Sequence, residues 1–231
     1  MEPKKMTKAE EKRMIAAEKA RIKLELERER LKNMRIYEDK YSDYELICGV
    51  DEVGRGPLAG PVFTAAVILP KDCEILYLND SKKLSEKKRE ELFLEISEKA
   101  IAIGIGSCTP EEIDEYNIKQ ATRKAMLQAV QNLDIQPGLV LVDAETITGL
   151  DIRQVPIIKG DAKSVSIAAA SIVAKVTRDH LMEEYDRIYP EYGFASNKGY
   201  GSAAHMQAIK EFGPCPIHRR SFIKNILAEN E

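Results

Sequence analysis

Acidic residues follow two apolar segments of this sequence, at the positions where buried strands would end. Asp51 and Glu52 come directly after the apolar run 46–50, and Asp143 comes directly after the run 139–142. A carboxylate at the end of a buried strand is costly unless another group pairs with it. In open α/β sheets, sites form in the crevice at the carboxyl ends of the strands, so two neighbouring strands would bring these three side chains together.

A fourth carboxylate, Asp161, stands in the sequence Lys159-Gly160-Asp161 just before a long apolar segment. Taken alone, an acidic residue ahead of a helix is typical of a helix cap. If the four carboxylates lie together, they repel one another. Proteins usually offset such repulsion by binding a divalent cation. Oxygen ligands without a nearby set of His or Cys favour Mg²⁺ or Mn²⁺ over Zn²⁺.

A segment rich in glycine and proline, 54–61, follows the first acidic pair. Glycines let the backbone approach a ligand, and exposed N–H groups in such turns can hold phosphate or hydroxyl groups. A plain loop between two strands would have a similar composition. The segment has neither the P-loop spacing nor a GxGxxG pattern that opens a helix, which argues against nucleoside-triphosphate and dinucleotide binding.

The elements that must position these residues alternate between strands and helices. Apolar runs between turn residues predict strands at 46–50, 62–69, 101–106, 139–142 and 155–158. Helices are predicted at 84–100, 110–133, 164–188, 202–211 and 221–229. The helix 164–188 must be buried, because its first turns have almost no polar face. We therefore predict an α/β domain with a mixed, partly parallel sheet flanked by helices, followed by a C-terminal helical segment.

Residues 1–44 are predicted to form a charged helical extension ahead of a domain at 45–231. Residues 4 to about 40 contain no Gly or Pro and are dense in Lys, Glu, Arg, Ala and Leu, which favours helix. Their apolar residues keep heptad spacing only in part, so a helix that lies on the domain or projects from it is favoured over a coiled coil. Because the first strand-forming run begins at Leu46, we expect residues 1–40 to be dispensable for folding and chemistry.

The composition indicates a soluble globular protein of the cytoplasm. The 231 residues are 44% hydrophobic and 32% charged, which is enough apolar material for a core and excludes general disorder. No apolar run approaches the ~20 residues that cross a bilayer, and the N-terminus has no secretory signal. The four cysteines show no paired short spacing, so a disulfide framework or a zinc site of the CxxC type is not expected.

The net charge of −3 gives no general reason to expect nucleic acid. Two basic patches nevertheless stand out, at 81–89 and 196–224. Such patches are typical of solvated helix faces, and they can also contact a polyanion.

Several motifs occur in an order that resembles the bacterial ribonuclease HII family. They are VDEVGRGPLAGP at 50–61, DSKKL at 80–84, VDA at 142–144, KGD at 159–161, AASIVAKVTRD at 169–179, GYG at 199–201 and HRRSF at 218–222. The resemblance covers roughly residues 45 to 225. It implies an RNase H-like fold and an endonuclease that cleaves the RNA strand of RNA/DNA hybrids. It also implies nicking of duplex DNA on the 5′ side of embedded ribonucleotides, leaving 5′-phosphate and 3′-hydroxyl ends.

The resemblance assigns roles to individual residues. The family's four carboxylates, which are both catalytic groups and ligands of two Mg²⁺ or Mn²⁺ ions, map onto Asp51, Glu52, Asp143 and Asp161. The Gly-Arg-Gly loop reads the ribose 2′-hydroxyl mainly through backbone groups, and a tyrosine packs on the neighbouring sugar; these are Gly54, Arg55, Gly56 and Tyr200. We further expect phosphate contacts from Lys82, Arg219 and Arg220.

Other polar residues have less certain roles at this stage. Asp179 could touch a metal or could be a partner of another side chain near the site. The three histidines, His180, His205 and His218, are too scattered for a ligand cluster, so each is expected to be structural or phosphate-facing.

The expected partners are an RNA/DNA hybrid and duplex DNA that contains ribonucleotides, bound by a monomer that does not associate with membranes. Two alternatives remain open: another RNase H-like metal nuclease, and a non-catalytic protein that binds hybrids. The Gly-Arg-Gly loop with Tyr200 argues against the first, and the intact carboxylates argue against the second. Ribonuclease HIII carries a separate N-terminal domain with a sheet, which the charged helix at 1–44 does not resemble.

Overall fold

A five-stranded mixed sheet forms the centre of the computed structural model, which describes residues 7–228. The strands are β1 (Ile47–Val53), β2 (Val62–Ile68), β3 (Ala102–Cys108), β4 (Leu139–Asp143) and β5 (Gln154–Ile157). Their spatial order is β3-β2-β1-β4-β5. The first three pair antiparallel, whereas β4 runs parallel to β1 and β5 runs parallel to β4. The predicted mixed α/β sheet is confirmed.

The helices of the described residues agree with the sequence pattern in all but three places, the first of which is the division of the predicted N-terminal helix between Asn33 and Ile36. They are α1 (Lys8–Asn33), α2 (Ile36–Lys40), α3 (Glu86–Lys99), α4 (Pro110–Tyr116), α5 (Ile118–Gln131), α6 (Val165–Ile188), α7 (Phe194–Asn197), α8 (Ala203–Phe212) and α9 (Arg220–Ala228). The predicted helix 110–133 is divided at Asn117, which has a positive φ of 66° and whose side chain accepts hydrogen bonds from the first N–H groups of α5. The four-residue α7 is too short for a periodic pattern to predict.

Two helices cover the faces of the sheet. On one face, Ala65 and Val67 of β2 pack with α6, and on the other face Ala66 and Ile68 pack with α5. Gly49 of β1 is required for the first contact, because a Cβ atom there would lie 2.1 Å from the backbone of Ser166. As predicted, the first turns of α6 are buried on all sides. The position of this helix therefore determines what lies at the ends of β1 and β4.

The C-terminal helices form a smaller core of their own. Tyr192, Phe194, Ile209 and Ile223 are buried there and pack around Ala59. Ala59 belongs to the loop 54–61 that the sequence singled out. The C-terminal segment therefore packs against this loop.

The N-terminal extension has an exposed part and an anchored part. Ile15, Ile22 and Leu26 are exposed, so the first turns of α1 project from the domain. Leu31 and Met34 are buried in the core beside α6. These two contacts revise the expectation that all of residues 1–40 are dispensable, because part of the extension belongs to the core of the domain. The division at residue 44 stays a prediction.

Two further expectations concern cysteines and membranes. The four cysteines are unpaired. Within residues 7–228, no helix combines the length and the apolar character that crossing a bilayer requires.

The anchored part of α1 should contribute to stability, and the projecting part should not. Leu31 is 6% exposed and Leu26 is 61% exposed on the same helix. We expect Leu31→Ala to lower the free energy of unfolding by roughly 2–4 kcal/mol, since a buried leucine leaves a cavity. Leu26→Ala should stay within about 0.5 kcal/mol of the unmodified protein. Urea unfolding measures both, and equal effects would show that the extension is either wholly anchored or wholly free.

Candidate active site

Two parallel strands bring the predicted carboxylates to one edge of the sheet. β1 and β4 are neighbours, with Val50 opposite Val142, so Asp51 and Asp143 follow side by side at the carboxyl ends of the two strands. The apolar residues before them are fully buried, which fixes the register of the pair. The predicted neighbouring position of the two strands is confirmed, although β1 continues through Asp51 and Glu52 to Val53.

Asp51 is the most buried of the four carboxylates, with 7% of its surface exposed. Its Oδ1 accepts a hydrogen bond from the N–H of Glu52 at 2.8 Å. Burial raises the pKa of Asp51 well above its usual value, and the charge of Glu52 raises it further, whereas a hydrogen bond from Ser171 of α6 opposes the increase. The Ser171 hydroxyl also lies 3.0 Å from that of Ser81, which joins α6 to the segment containing Lys82.

Glu52 is partly buried and has a cation beside it. Burial raises the pKa of Glu52, the charge of Arg55 lowers it, and the charge of Asp143 raises it, with a net increase. The Arg55 guanidinium lies 3.4 Å from the Glu52 carboxylate. This ion pair joins the carboxylate cluster to the first residues of the loop 54–61.

Asp161 lies in the turn Gly160–Ala162 that precedes α6. The N–H of Gly160 donates to Asp143 at 2.7 Å, so this turn and the end of β4 are held together. Burial raises the pKa of Asp161, and the charges of Asp80 and Asp143 raise it further. Asp161 is not the cap of α6, because that position belongs to Ser164, whose side chain accepts from the N–H of Ile167.

The four carboxylates suit a hard divalent cation in their chemistry. All their donor atoms are oxygen, and the raised pKa values of Asp51, Glu52 and Asp161 reflect burial together with mutual repulsion. Within residues 7–228, however, no three Asp, Glu, His or Cys side chains already converge at the spacing that holds one ion. Cation binding would therefore require these side chains to turn toward a common point.

A crevice beside the carboxylates collects most of the residues that the sequence singled out. Its lining consists of Asp51, Glu52, Val53, Gly54, Arg55, Gly56, Ser81, Lys82, Ser171, Lys175 and Tyr200. Tyr200 is 44% exposed, so its ring is accessible to a ligand. Ser81, Ser171 and Lys175 were not among the predicted site residues. Ser171 has a sequence signal, since it is a polar residue in the middle of the apolar segment of α6.

Two buried arginines hold the loop 54–61 from behind. Arg178 of α6 donates to the carbonyls of Pro61, Ala59 and Lys198, at 2.8–3.0 Å. Arg219 donates to the carbonyls of Gly60, Arg55 and Gly54, at 2.6–3.0 Å. Burial lowers the pKa of Arg178 to about 10 and that of Arg219 to about 9, so both stay charged at neutral pH. The loop therefore has its conformation before any ligand arrives.

The predicted phosphate contact of Arg219 is wrong. Arg219 has no exposed surface, and its guanidinium is fully engaged with loop carbonyls. The neighbouring Arg220 and Lys82 are exposed, and their phosphate contacts stay predictions. Arg178 was missed, although an arginine four residues after Ala174 continues the buried face of α6.

The histidines divide into one surface residue and one buried pair. His180 is exposed and lies 2.8 Å from Glu90. His205 and His218 are buried and face each other at 2.9 Å between their Nε2 atoms, so neither can face a phosphate. The Nδ1 of His205 lies 2.8 Å from the carbonyl of Tyr200, and the Nδ1 of His218 accepts from the N–H of Cys215. The pair thus connects the C-terminal core to the Tyr200 loop.

Asp179 does not line the crevice itself but contacts a lysine that does. Its two carboxylate oxygens are 2.5 and 2.6 Å from the ammonium of Lys175, which lines the crevice, and Arg89 lies 3.9 Å away. This geometry favours the expected role as a partner of another side chain over a role as metal ligand.

Comparison with known proteins places most of the chain in one family. Residues 48–225 match the family model described as Ribonuclease HII. The chain is 67% identical over 204 residues to a ribonuclease HII of Lachnoclostridium phytofermentans, covering 88% of this chain and 80% of the relative. It is 58% identical over 203 residues to a ribonuclease HII of Clostridioides difficile, covering 87% and 80%.

A solved structure shows the same fold. The crystal structure of the ribonuclease H2 from Pyrococcus horikoshii OT3 superposes with a TM-score of 0.68 at 28% identity, covering 80% of this chain and 98% of that chain.

The two adjacent arginines at 219 and 220 should differ sharply in their effect on stability. Arg219→Ala would leave three loop carbonyls, two of them buried, without their donors, so we expect the free energy of unfolding to fall by roughly 3 kcal/mol or more. Arg220→Ala removes an exposed side chain and should change it by less than about 0.5 kcal/mol. Denaturant unfolding of both variants measures this difference. A tolerated Arg219→Ala would contradict its role in supporting the loop.

Proposed function

The chain belongs to the ribonuclease HII family and is an endoribonuclease that acts on RNA/DNA hybrids, and we propose that it also nicks duplex DNA on the 5′ side of embedded ribonucleotides. The products would carry 5′-phosphate and 3′-hydroxyl ends. The observation that carries the proposal is the crevice in which Asp51 and Glu52 lie together with Gly54, Arg55 and Tyr200. A cleavage centre there adjoins groups that could recognise a 2′-hydroxyl.

We propose that Asp51, Glu52, Asp143 and Asp161 are the catalytic carboxylates and hold two divalent cations, Mg²⁺ or Mn²⁺. The donor chemistry and the mutual repulsion of these groups support this assignment. The chemistry that two such ions supply, when bound, is activation of the attacking water and stabilisation of the leaving 3′ oxygen. The pairing of β1 with β4 holds Asp51 beside Asp143, and the bond from Gly160 holds the Asp161 turn against them.

Recognition of the ribonucleotide is proposed for the loop of Gly54, Arg55 and Gly56 together with Tyr200. Arg219 holds the carbonyls of Gly54 and Arg55 from the inner side. The loop can therefore present backbone groups to a 2′-hydroxyl without the cost of ordering itself on binding. Tyr200 lies across the crevice, where its ring can pack on a sugar.

Phosphates on either side of the cleavage point are proposed to contact Lys82 and Arg220, with Lys175 as a further cation in the crevice. Asp179 would keep Lys175 in place through its 2.5 Å contact. We further propose that residues 45–231 form the catalytic domain and that the enzyme acts as a monomer.

The direct test of the proposed function uses a DNA duplex that carries one ribonucleotide. Incubation with Mg²⁺ or Mn²⁺ should give a single nick on the 5′ side of the ribonucleotide, and excess chelator should stop it. An all-DNA duplex of the same sequence is the control. Cleavage of the all-DNA duplex, or cleavage that persists in chelator, would overturn the proposal.

Asp51→Asn should separate stability from activity. The folded pKa of Asp51 is raised, so this carboxyl group destabilises the fold increasingly as the pH rises above its unfolded-state pKa, and most above its folded pKa. Replacing it with the neutral amide should raise the Tm of the metal-free protein by roughly 2–4 °C at neutral pH, while cleavage is lost. Calorimetry and the cleavage assay measure the two effects, with the exposed Asp134→Asn as the control. Wild-type turnover in Asp51→Asn would refute the catalytic assignment.

Tyr200→Ala tests recognition separately from chemistry. Packing of an aromatic ring on a nucleotide contributes about 1–3 kcal/mol, so cleavage should slow by roughly ten- to a hundredfold. The loss should be greater on a single embedded ribonucleotide than on a long hybrid. The ratio of the two rates is the measurement, and Tyr116→Ala, another exposed tyrosine, is the control. An unchanged ratio would leave recognition of the junction to the loop 54–56 alone.

A further inference from the structure

Glu38 is a buried carboxylate of the N-terminal extension that contacts the start of α6. It lies on α2 and is 8% exposed. Its Oε1 accepts hydrogen bonds from the hydroxyl of Ser164 at 2.6 Å and from the N–H of Ser166 at 3.0 Å. The first N–H groups of a helix have no partner within the helix. Glu38 therefore supplies a cap to α6 from a segment that is more than 120 residues away in sequence.

The contact with Glu38 also orients the cap that α6 has of its own. The Ser164 hydroxyl has one proton, and donating it to Glu38 leaves its lone pairs free for the N–H of Ile167, which lies 3.1 Å away. A carboxylate at the N-terminus of a helix is also favoured by the helix dipole. Two acceptors, Glu38 and Ser164, thus define where α6 begins.

The start of α6 is joined to two of the candidate metal ligands. The N–H of Ser164 donates to the carbonyl of Gly160 at 2.8 Å, and the N–H of Gly160 donates to Asp143 at 2.7 Å. Asp161 lies between Gly160 and Ser164 in the same turn. A continuous series of hydrogen bonds therefore runs from Glu38 through this turn to the end of β4.

Packing alone does not account for a carboxylate at residue 38. The second oxygen of Glu38, Oε2, is buried and has no hydrogen-bond partner. Burying a carboxylate oxygen without a partner costs free energy. A side chain whose only role is packing would avoid that cost.

We propose that Glu38 is a positioning residue, through which the N-terminal extension holds the segment 160–166 so that Asp161 and Asp143 can bind a cation. This inference rests on the proposed metal site and gives part of residues 1–44 a role in it. Glu38 acts through Ser164 and Gly160 and does not itself touch the substrate.

The test compares Glu38→Ala with a matched control in the full-length protein. Glu27 is another carboxylate of the extension that is tied to the domain, because it accepts from the N–H of Tyr77 at 2.7 Å and pairs with Arg30. Neither of these partners belongs to α6, so Glu27 anchors α1 at a different place. Glu27→Ala therefore removes a tether of the same kind without touching the segment 160–166.

Two readouts need no substrate. The first is amide hydrogen exchange of residues 160–168 in the metal-free protein, and the second is Mn²⁺ binding measured by electron paramagnetic resonance. We expect Glu38→Ala to speed exchange in this segment and to weaken Mn²⁺ binding by about tenfold or more, as found for groups that orient metal ligands. Glu27→Ala should change neither. Glu38→Gln, which can keep the acceptor of Glu38, should restore most of the lost affinity.

Equal Mn²⁺ affinity in Glu38→Ala and in the unmodified protein would overturn the inference, as would equal shifts in Glu38→Ala and Glu27→Ala. If Glu38→Ala does not fold, Ser164→Ala is the second variant, since it removes the link to Glu38 and keeps the bond to Ser166. It also removes the bond that the Ser164 hydroxyl accepts from the N–H of Ile167, so Mn²⁺ affinity is the deciding readout for this variant. That affinity should fall, and an unchanged Mn²⁺ affinity would overturn the inference. Failure of the unmodified protein to bind Mn²⁺ would refute the proposed metal site instead, and the exchange readout would still decide the role of Glu38.

Discussion

The repulsion among carboxylates at the ends of two parallel strands is the constraint on which the rest of the structure depends. Burial and mutual charge raise the pKa values of Asp51, Glu52 and Asp161, so the metal-free site opposes folding at neutral pH. The opposing force comes from apolar residues next to these groups. Val50 and Val142 are fully buried and opposite each other, which keeps the two strand ends together without a cation. The carboxylates thus lower the stability of the fold locally, and the packing of the sheet and α6 compensates for this loss. Such local losses of stability are common at functional sites.

Positively charged side chains hold the loop beside the carboxylates in place. Arg178 and Arg219 lie on the inner side of the loop 54–61, where they bind five backbone carbonyls of the loop and the carbonyl of Lys198. A carbonyl partner lets a guanidinium be buried without adding a further carboxylate to an already acidic region. Since the inner side of the loop is fully bonded, its outer side is presented in one conformation. The carboxylates and this rigid loop both line the crevice that also contains Tyr200.

Local sequence patterns predicted the positions of the strands well and the long-range contacts poorly. The apolar runs before Asp51 and Asp143 identified β1 and β4, because buried strands need such runs whatever packs against them. The same patterns could not reveal that Arg219 faces inward, since a basic residue in a basic segment looks exposed. Spacing alone could not show that the cap of α6 is Ser164 and not Asp161, which stands three residues earlier in the sequence. The break at Asn117 depends on a positive φ that no periodicity encodes.

The N-terminal extension shows why a family match alone does not describe the whole enzyme. The match begins at residue 48, after both Leu31 and Glu38, yet these residues lie in the core and at the start of α6. The exposed first turns of α1 need only a sequence that favours helix. The anchored segment that follows them must also fit the apolar surface and the buried N–H groups that it contacts. A catalytic domain drawn at residue 45 would expose the apolar surface that Leu31 covers and leave Ser164 and Ser166 without their acceptor. The part of the extension from Leu31 to Glu38 is therefore packed against the proposed catalytic domain, whereas the first turns of α1 are not.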